Sequence, residues 1–296
     1  MNRQKVDNIP ALRCRLAALA LFVLGAFPAS AQQHPSVPER ALNDLHWTAI
    51  SSGVEYTAQK IIDDPVVGDG VLHLVRIDPA QAKLRLLMAS SLDRQLRTAK
   101  TWCSEFGMAA VINAGMFEPD HLTHVGYMRN DDQINNAKWA KQYSSILAFG
   151  PVQPGKPFAL ILDADADPLT SYTDYASVIQ NLRLIKGDGK NVWSEQPKKW
   201  SEAAIAMDNR GRVLFLFIRS PLSMHEFNEK ILKLPLNISR AMHLEGGPEA
   251  SLSVCTAARQ LHLAGEYESG LIENDSNHGQ WPLPNVIGVL AEKHAK

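Results

Sequence analysis

Ala241-Met242-His243-Leu244-Glu245-Gly246-Gly247-Pro248-Glu249-Ala250-Ser251-Leu252 reads as an apolar strand ending on a carboxylate, a tight glycine turn, and a second apolar strand leaving it. Paired glycines permit positive φ and leave room for a backbone or a ligand to come close. Pro248 then stiffens the exit. Two readings of this stretch stand side by side. In one, Gly246-Gly247 only turns the chain and Glu245 is solvated. In the other, an acid at a strand end beside bare backbone amides is placed for chemistry.

Upstream, a second strand has the same ending. Thr98 to Phe106 reads as a short helix capped by Thr98 and stopped at Gly107, feeding the apolar strand Met108 to Ile112. That strand runs into Asn113-Ala114-Gly115-Met116-Phe117, where Asn113 offers both donors and an acceptor to a ligand or to loop backbone. His121 and His124 follow, a pair that invites a metal reading but lacks the third ligand a site normally needs. Asp163-Ala164-Asp165-Ala166-Asp167-Pro168 reads as a solvated loop, since proline stands where a calcium loop requires glycine. Arg183 lies inside the apolar run Leu182 to Ile185. A buried arginine needs an anion, so it is half of a structural ion pair or an anchor for phosphate.

The remaining pattern is strand-rich. Strands are expected at 54–61, 71–77, 83–88, 144–149, 158–162, 203–207 and 212–218 and at the end of the stretch Trp281 to Leu290, with Asp208-Asn209-Arg210-Gly211 as a hairpin turn. Ser223-Met224-His225-Glu226 is a capping box that opens a helix running to about Lys233. Many strands with few helices imply an α+β fold, one domain of mixed β-sheets with a few packed helices.

The N-terminus is expected to be removed. Arg3, Lys5, Arg13 and Arg15 precede the uncharged apolar run Leu16 to Phe27, and Ala29-Ser30-Ala31 supplies a signal-peptidase site. Residues 1–31 are read as a signal peptide, 32–53 as an N-terminal extension and 54–296 as the folded domain, in a periplasmic or secreted setting. The leader holds four bases and Asp7, which leaves 26 bases against 30 acids. That balance gives no support to a nucleic-acid partner. No later segment is apolar enough to span a membrane. Cys103 and Cys255 remain as an even pair in a compartment where disulfides persist, either bonded to one another or both free.

Three stretches together resemble the phosphodiester glycosidase family, over roughly Val71 to Leu290. Asn113-Ala114-Gly115-Met116-Phe117 resembles its Asn-x-Gly-aromatic-aromatic strand end. Ala203-Ala204-Ile205-Ala206-Met207-Asp208 resembles the strand before its hairpin. Leu244-Glu245-Gly246-Gly247 with Ser251 resembles its Asp-Gly-Gly-Gly-Ser turn. This chain departs from the pattern in having glutamate for aspartate, Pro248 for the third glycine, and Ser201-Glu202 where an arginine is common. The departures fit an exported bacterial subgroup.

The resemblance implies hydrolysis of a sugar-1-phosphodiester in an envelope or extracellular glycan. A phosphate monoester departs without a general acid, so one carboxylate and a cationic clamp suffice, where ordinary glycosides need two carboxylates. Glu245, Arg183 and Asn113 are then the expected catalytic residues. Gly115, Met116, Arg219, Gly246, Gly247 and Glu249 are expected to bind substrate, with Glu249 or Asp163 as a second carboxylate if one is needed. No cofactor and no metal are expected. Two other classes remain open on the sequence: a non-catalytic module binding sugar phosphates, and a metal-dependent phosphodiesterase using His121 and His124.

Overall fold

The computed structural model describes residues 45–290, all within one compact unit. The signal peptide at 1–31 and residues 32–44 of the extension lie outside the described residues. The folded part starts earlier than position 54, because Thr48–Ser51 is already a strand paired with Val54–Lys60.

Three sheets build the fold. The largest runs Thr48–Ser51, Val54–Lys60, Val71–Ile77, Val213–Leu222, Trp200–Asp208, Ile238–Gly246, Arg183–Lys186 and Lys190–Asn191 in spatial order. A second orders Gln133–Asn136, Met128–Asn130, Tyr175–Asn181, Ser145–Pro151 and Ala159–Asp163. A third orders Arg259–Ala264, Ser251–Thr256, Met108–Asn113, Asn285–Leu290 and Leu84–Met88. Among the described residues every pairing between these strands is antiparallel, which corrects the expectation of mixed sheets. The fold is β-rich, with two α-helices, Ala99–Glu105 and Met224–Leu232.

One apolar core joins all three sheets. Val75, Ile205, Phe217 and Met242 from the first meet Leu147, Phe149 and Ile179 from the second and Ile112, Leu252 and Ile287 from the third. The other face of the large sheet is also covered, by Met224, Phe227 and Ile231 of the second helix packing on Leu74, Leu184 and Leu216. Burial on both faces explains why Val213-Leu-Phe-Leu-Phe-Ile218 is a continuous apolar run rather than an alternating one. Trp102 and Cys103 of the first helix cover the third sheet on its outer side.

Both helix starts follow the sequence signals. The Thr98 side chain accepts the Thr101 amide, and Gly107 ends that helix at φ +63°. Ser223 and Glu226 form the reciprocal capping box. Cys103 and Cys255 are joined in a disulfide, with Cα atoms 6.2 Å apart, tying the first helix to the strand Ser251–Thr256.

Candidate functional site

Glu245 stands at the point where the chain changes sheets. Ile238–Gly246 belongs to the large sheet, a 3-10 turn covers Gly247–Glu249, and Ser251–Thr256 joins the third sheet. The return strand therefore does not pair with the one that enters the turn. Instead it lies against Met108–Asn113, with Leu252 opposite Ile112. Gly247 makes this corner possible: its φ is +64°, and an added Cβ would stand 2.7 Å from Glu268 Oε2.

Asn113 holds the turn. Its amide nitrogen donates to the Glu249 carbonyl at 2.9 Å, and its oxygen accepts the Ser251 amide at 2.7 Å. With the residue only 1% exposed and outside the lining of the cavity described below, its expected catalytic role is corrected to that of a brace between the two strand ends.

The register on the Glu245 side carries a bulge. Ala204 pairs with His243 but Ala203 pairs with Glu245, so Leu244 is the extra residue. Past this break a cavity of about 400 Å³ opens, lined by His243, Glu245, Gly246, Glu249 and Glu268. Its apolar wall is Met116, Phe117, Val125, Leu182, Trp200 and Met224. A few convergent polar groups against apolar walls is the usual make-up of a small-molecule site. A wider groove of about 670 Å³, lined by His46, Tyr56 and Arg259 among others, lacks such convergence and has no acid in its lining.

Glu245 is 8% exposed, and one oxygen accepts the Gly246 amide at 3.1 Å. Burial, followed by the negative charge of Glu249 and then smaller effects of Glu202 and Glu268, raises its pKa well above the ordinary carboxylate range, against the pull of that amide. Burial, then the charge of Glu268, also raises Glu249, and His121 opposes this. The cavity thus holds three carboxyl groups, two of them shifted toward the neutral acid.

In the wall of the cavity lies a buried pair. His243 Nδ1 is 2.6 Å from Glu202 Oε1, and the other Glu202 oxygen accepts Trp200 Nε1–H at 2.7 Å. The Trp200 ring meets the imidazole edge-on, with centroids 6.3 Å apart. Sequence reasoning passed over this trio and Glu268. The available signals were the lone acid in Ser201-Glu202-Ala203-Ala204-Ile205 and the histidine inside Ala241 to Leu244.

The expected arginines are elsewhere. Leu182 lines the cavity, but the Arg183 guanidinium is ion-paired with Asp163, and with Asp165 at 2.8 Å. The phosphate-clamp assignment of Arg183 is therefore corrected to the structural alternative. Asp163, spent on that pair, is not a second carboxylate of the cavity. Asp167 likewise pairs with Arg240, so the acid loop is a docking point for two arginines rather than a solvated one. Arg219 lines a separate cavity with His73, His262 and His278. Its donors go to Asp275, Glu266 and the carbonyls of Ala264 and Asn277, which leaves it no free fork for a phosphate.

Of the other expected binding residues, Met116, Gly246 and Glu249 line the cavity, whereas Gly247 shapes the turn beside it. Gly115 sits behind Met116 at φ +134°, where a Cβ would run into the His124 ring. His121 and His124 do not form a ligand pair. His124 is fully buried, its Nδ1 accepts the Gly126 amide at 2.9 Å, and burial lowers its pKa to about 4. His121 is exposed, its ring tilted against Phe117 with centroids 5.7 Å apart. Among the described residues no three His, Cys, Asp or Glu side chains are grouped to hold a metal ion.

Comparison with known proteins adds the following. The family model described as phosphodiester glycosidase matches residues 106–290, a span containing every residue named in the lining of the 400 Å³ cavity. No curated protein matches the chain in sequence. Among solved structures, the catalytic domain of zebrafish N-acetylglucosamine-1-phosphodiester alpha-N-acetylglucosaminidase, auto-inhibited by its pro-peptide, is similar over 84% of this chain and 89% of that one. The TM-score is 0.57 at 11% identity. A protein from Synechocystis is similar over 81% of this chain and 62% of that one, with a TM-score of 0.56 at 14% identity. At these identities the likeness is one of fold.

Proposed function

The chain belongs to the phosphodiester glycosidase family, and from that premise we propose that it is an exported hydrolase cleaving a sugar-1-phosphodiester, with Glu245 as its catalytic carboxylate. The observation that carries the reading is Glu245 itself: a buried acid at the glycine turn, facing a cavity, with its pKa raised by burial and by Glu249. A carboxyl whose pKa is raised is a stronger base when ionised, which suits a group that takes a proton in the reaction. Fold likeness alone does not assign activity, so the reading rests on this site.

The reaction breaks the bond between the anomeric carbon and the phosphate oxygen. Water supplies a hydroxyl to the sugar and a proton to the products, and the leaving group is a phosphate monoester. Glu245 works at the anomeric carbon, either attacking it or taking the proton of the attacking water. The anomer released first, read by NMR, separates these routes, since attack by Glu245 followed by hydrolysis retains configuration and direct attack by water inverts it. Glu249 is the second carboxyl within the cavity. Phe117 and Trp200 give the lining aromatic surface of the kind a sugar packs against.

The experiment is release of reducing sugar from a panel of sugar-1-phosphodiesters by the wild-type chain and by Glu245→Gln. Turnover on at least one member, lost in the variant, supports the proposal. Binding of sugar phosphates with no turnover of any member would replace it with a binding module. Export is part of the same proposal. No helix among the described residues is long and apolar enough to cross a membrane.

A further inference from the structure

A phosphodiester carries a negative charge, yet Glu245, Glu249 and Glu268 line the cavity and no lysine or arginine does. The basic side chain in the lining is His243. We propose that His243, held by Glu202, is the phosphate-binding side chain of this site, and that Glu202 and Trp200 are the positioning residues that keep it there. This inference rests on the proposed hydrolysis of a sugar phosphodiester and names the group that receives its anionic part.

The geometry supports this in three steps. Glu202 and His243 are 1% and 3% exposed, so the carboxylate and the ring are held without competition from bulk water. Glu202 takes the Nδ1 side of the ring at 2.6 Å, and a carboxylate on one imidazole nitrogen fixes the ring's orientation. Trp200 Nε1 fills the second Glu202 oxygen at 2.7 Å, so the carboxylate is locked toward the histidine. Nε2 is then the nitrogen without a hydrogen bond to any described residue, on a ring that lines the cavity.

The charged and titratable groups around the ring come from four places. Glu202 lies on Trp200–Asp208, Glu245 on the strand of His243 itself, Glu249 in the 3-10 turn, and Glu268 in the loop bridged to Trp200. Of these, Glu245 and Glu249 are pushed toward the neutral acid, which lessens their repulsion of an incoming anion. Glu202 is the acid in direct contact with the imidazole. A charge-assisted hydrogen bond from Nε2–H to a phosphate oxygen then offsets the loss of hydration of both partners.

The test uses the whole chain labelled with 15N-histidine and titrated with inorganic phosphate, with the His243 resonances assigned from His243→Gln. Phosphate is expected to shift the His243 imidazole signals. Its affinity is expected to fall about tenfold or more in both His243→Gln and Glu202→Gln, the scale of one charge-assisted hydrogen bond. If either single variant fails to fold, the neutral double variant Glu202→Gln/His243→Asn decides, because it leaves no unpaired buried charge. It should fold and bind phosphate as weakly as described. The proposal is overturned if phosphate leaves the His243 signals unmoved, or if folded variants bind phosphate as tightly as the wild type. A phosphate response at His243 without turnover of any sugar-1-phosphodiester would sink the hydrolase reading and leave this one standing. Turnover with a silent His243 would do the reverse.

Discussion

Replacing Glu245 by glutamine should make the protein more stable at neutral pH and inactive. The carboxyl is 8% exposed, and burial and Glu249 disfavour its charge. In the unfolded chain it titrates near the ordinary value of about 4.3. Between that pH and the raised folded value, the native state holds a proton that the unfolded state has lost. Stability therefore falls as pH rises through this window, and the contribution is fully present only below the unfolded value. Each pH unit in the window is worth about 1.4 kcal/mol. For a chain of this size a kilocalorie moves Tm by about 2–4 °C, so one such unit amounts to about 3–5 °C. Glutamine keeps the shape and does not titrate. The assay is Tm of wild type and Glu245→Gln from about pH 5 to about pH 8, where groups common to both cancel in the difference. The variant's advantage should widen as pH rises, while turnover drops by about a hundredfold or more. A Tm difference that stays flat across the range would refute the electrostatic reasoning, and unchanged turnover in the folded variant would remove Glu245 from the chemistry.

Asp163→Asn should weaken the pair with Arg183, which keeps Asp165 as a partner, and cost about 1–3 kcal/mol in a denaturant titration. Turnover per folded molecule should be spared, and selective loss on phosphate substrates would restore Arg183 to the site. Replacing Cys103 and Cys255 by alanine together opens a loop with a sequence separation of 152 residues. The chain-entropy relation puts that at about 4–5 kcal/mol as an upper figure, and two free thiols in denatured, unreduced wild type would void the expectation. N-terminal sequencing of protein recovered from the envelope should start at or near Gln32, and an intact Met1 on the mature chain would contradict export through the leader.

Much of the local structure was legible because its signals are short-ranged. Thr98 and Gly107 bound one helix, Ser223 and Glu226 open the other, and apolar runs give most of the strands. Sheet membership was not, because partners lie far away in the chain: Leu252 pairs with Ile112, and only that pairing reveals Gly247–Glu249 as a corner between sheets. Faces were hidden too. A sheet covered on both sides loses its period-two alternation, so nothing in Ser201 to Met207 or Ala241 to Leu244 says which way Glu202 and His243 turn.

Asn113 shows the limit most clearly. An asparagine at a strand end serves a ligand or a loop equally well, and the choice depends on where another segment arrives. Here Glu249 and Ser251 arrive on it and take both ends of the amide. Arg183 has the same history, since Asp163, 20 residues earlier, reaches it only because the second sheet packs across the large one. In both cases the residue type was informative and its partner was decided by tertiary structure. Glu245 obeys the same limit: its neighbours left a solvated turn acid and a placed carboxylate equally open, and only the fold, which leaves it 8% exposed and facing a cavity, decides against the solvated reading.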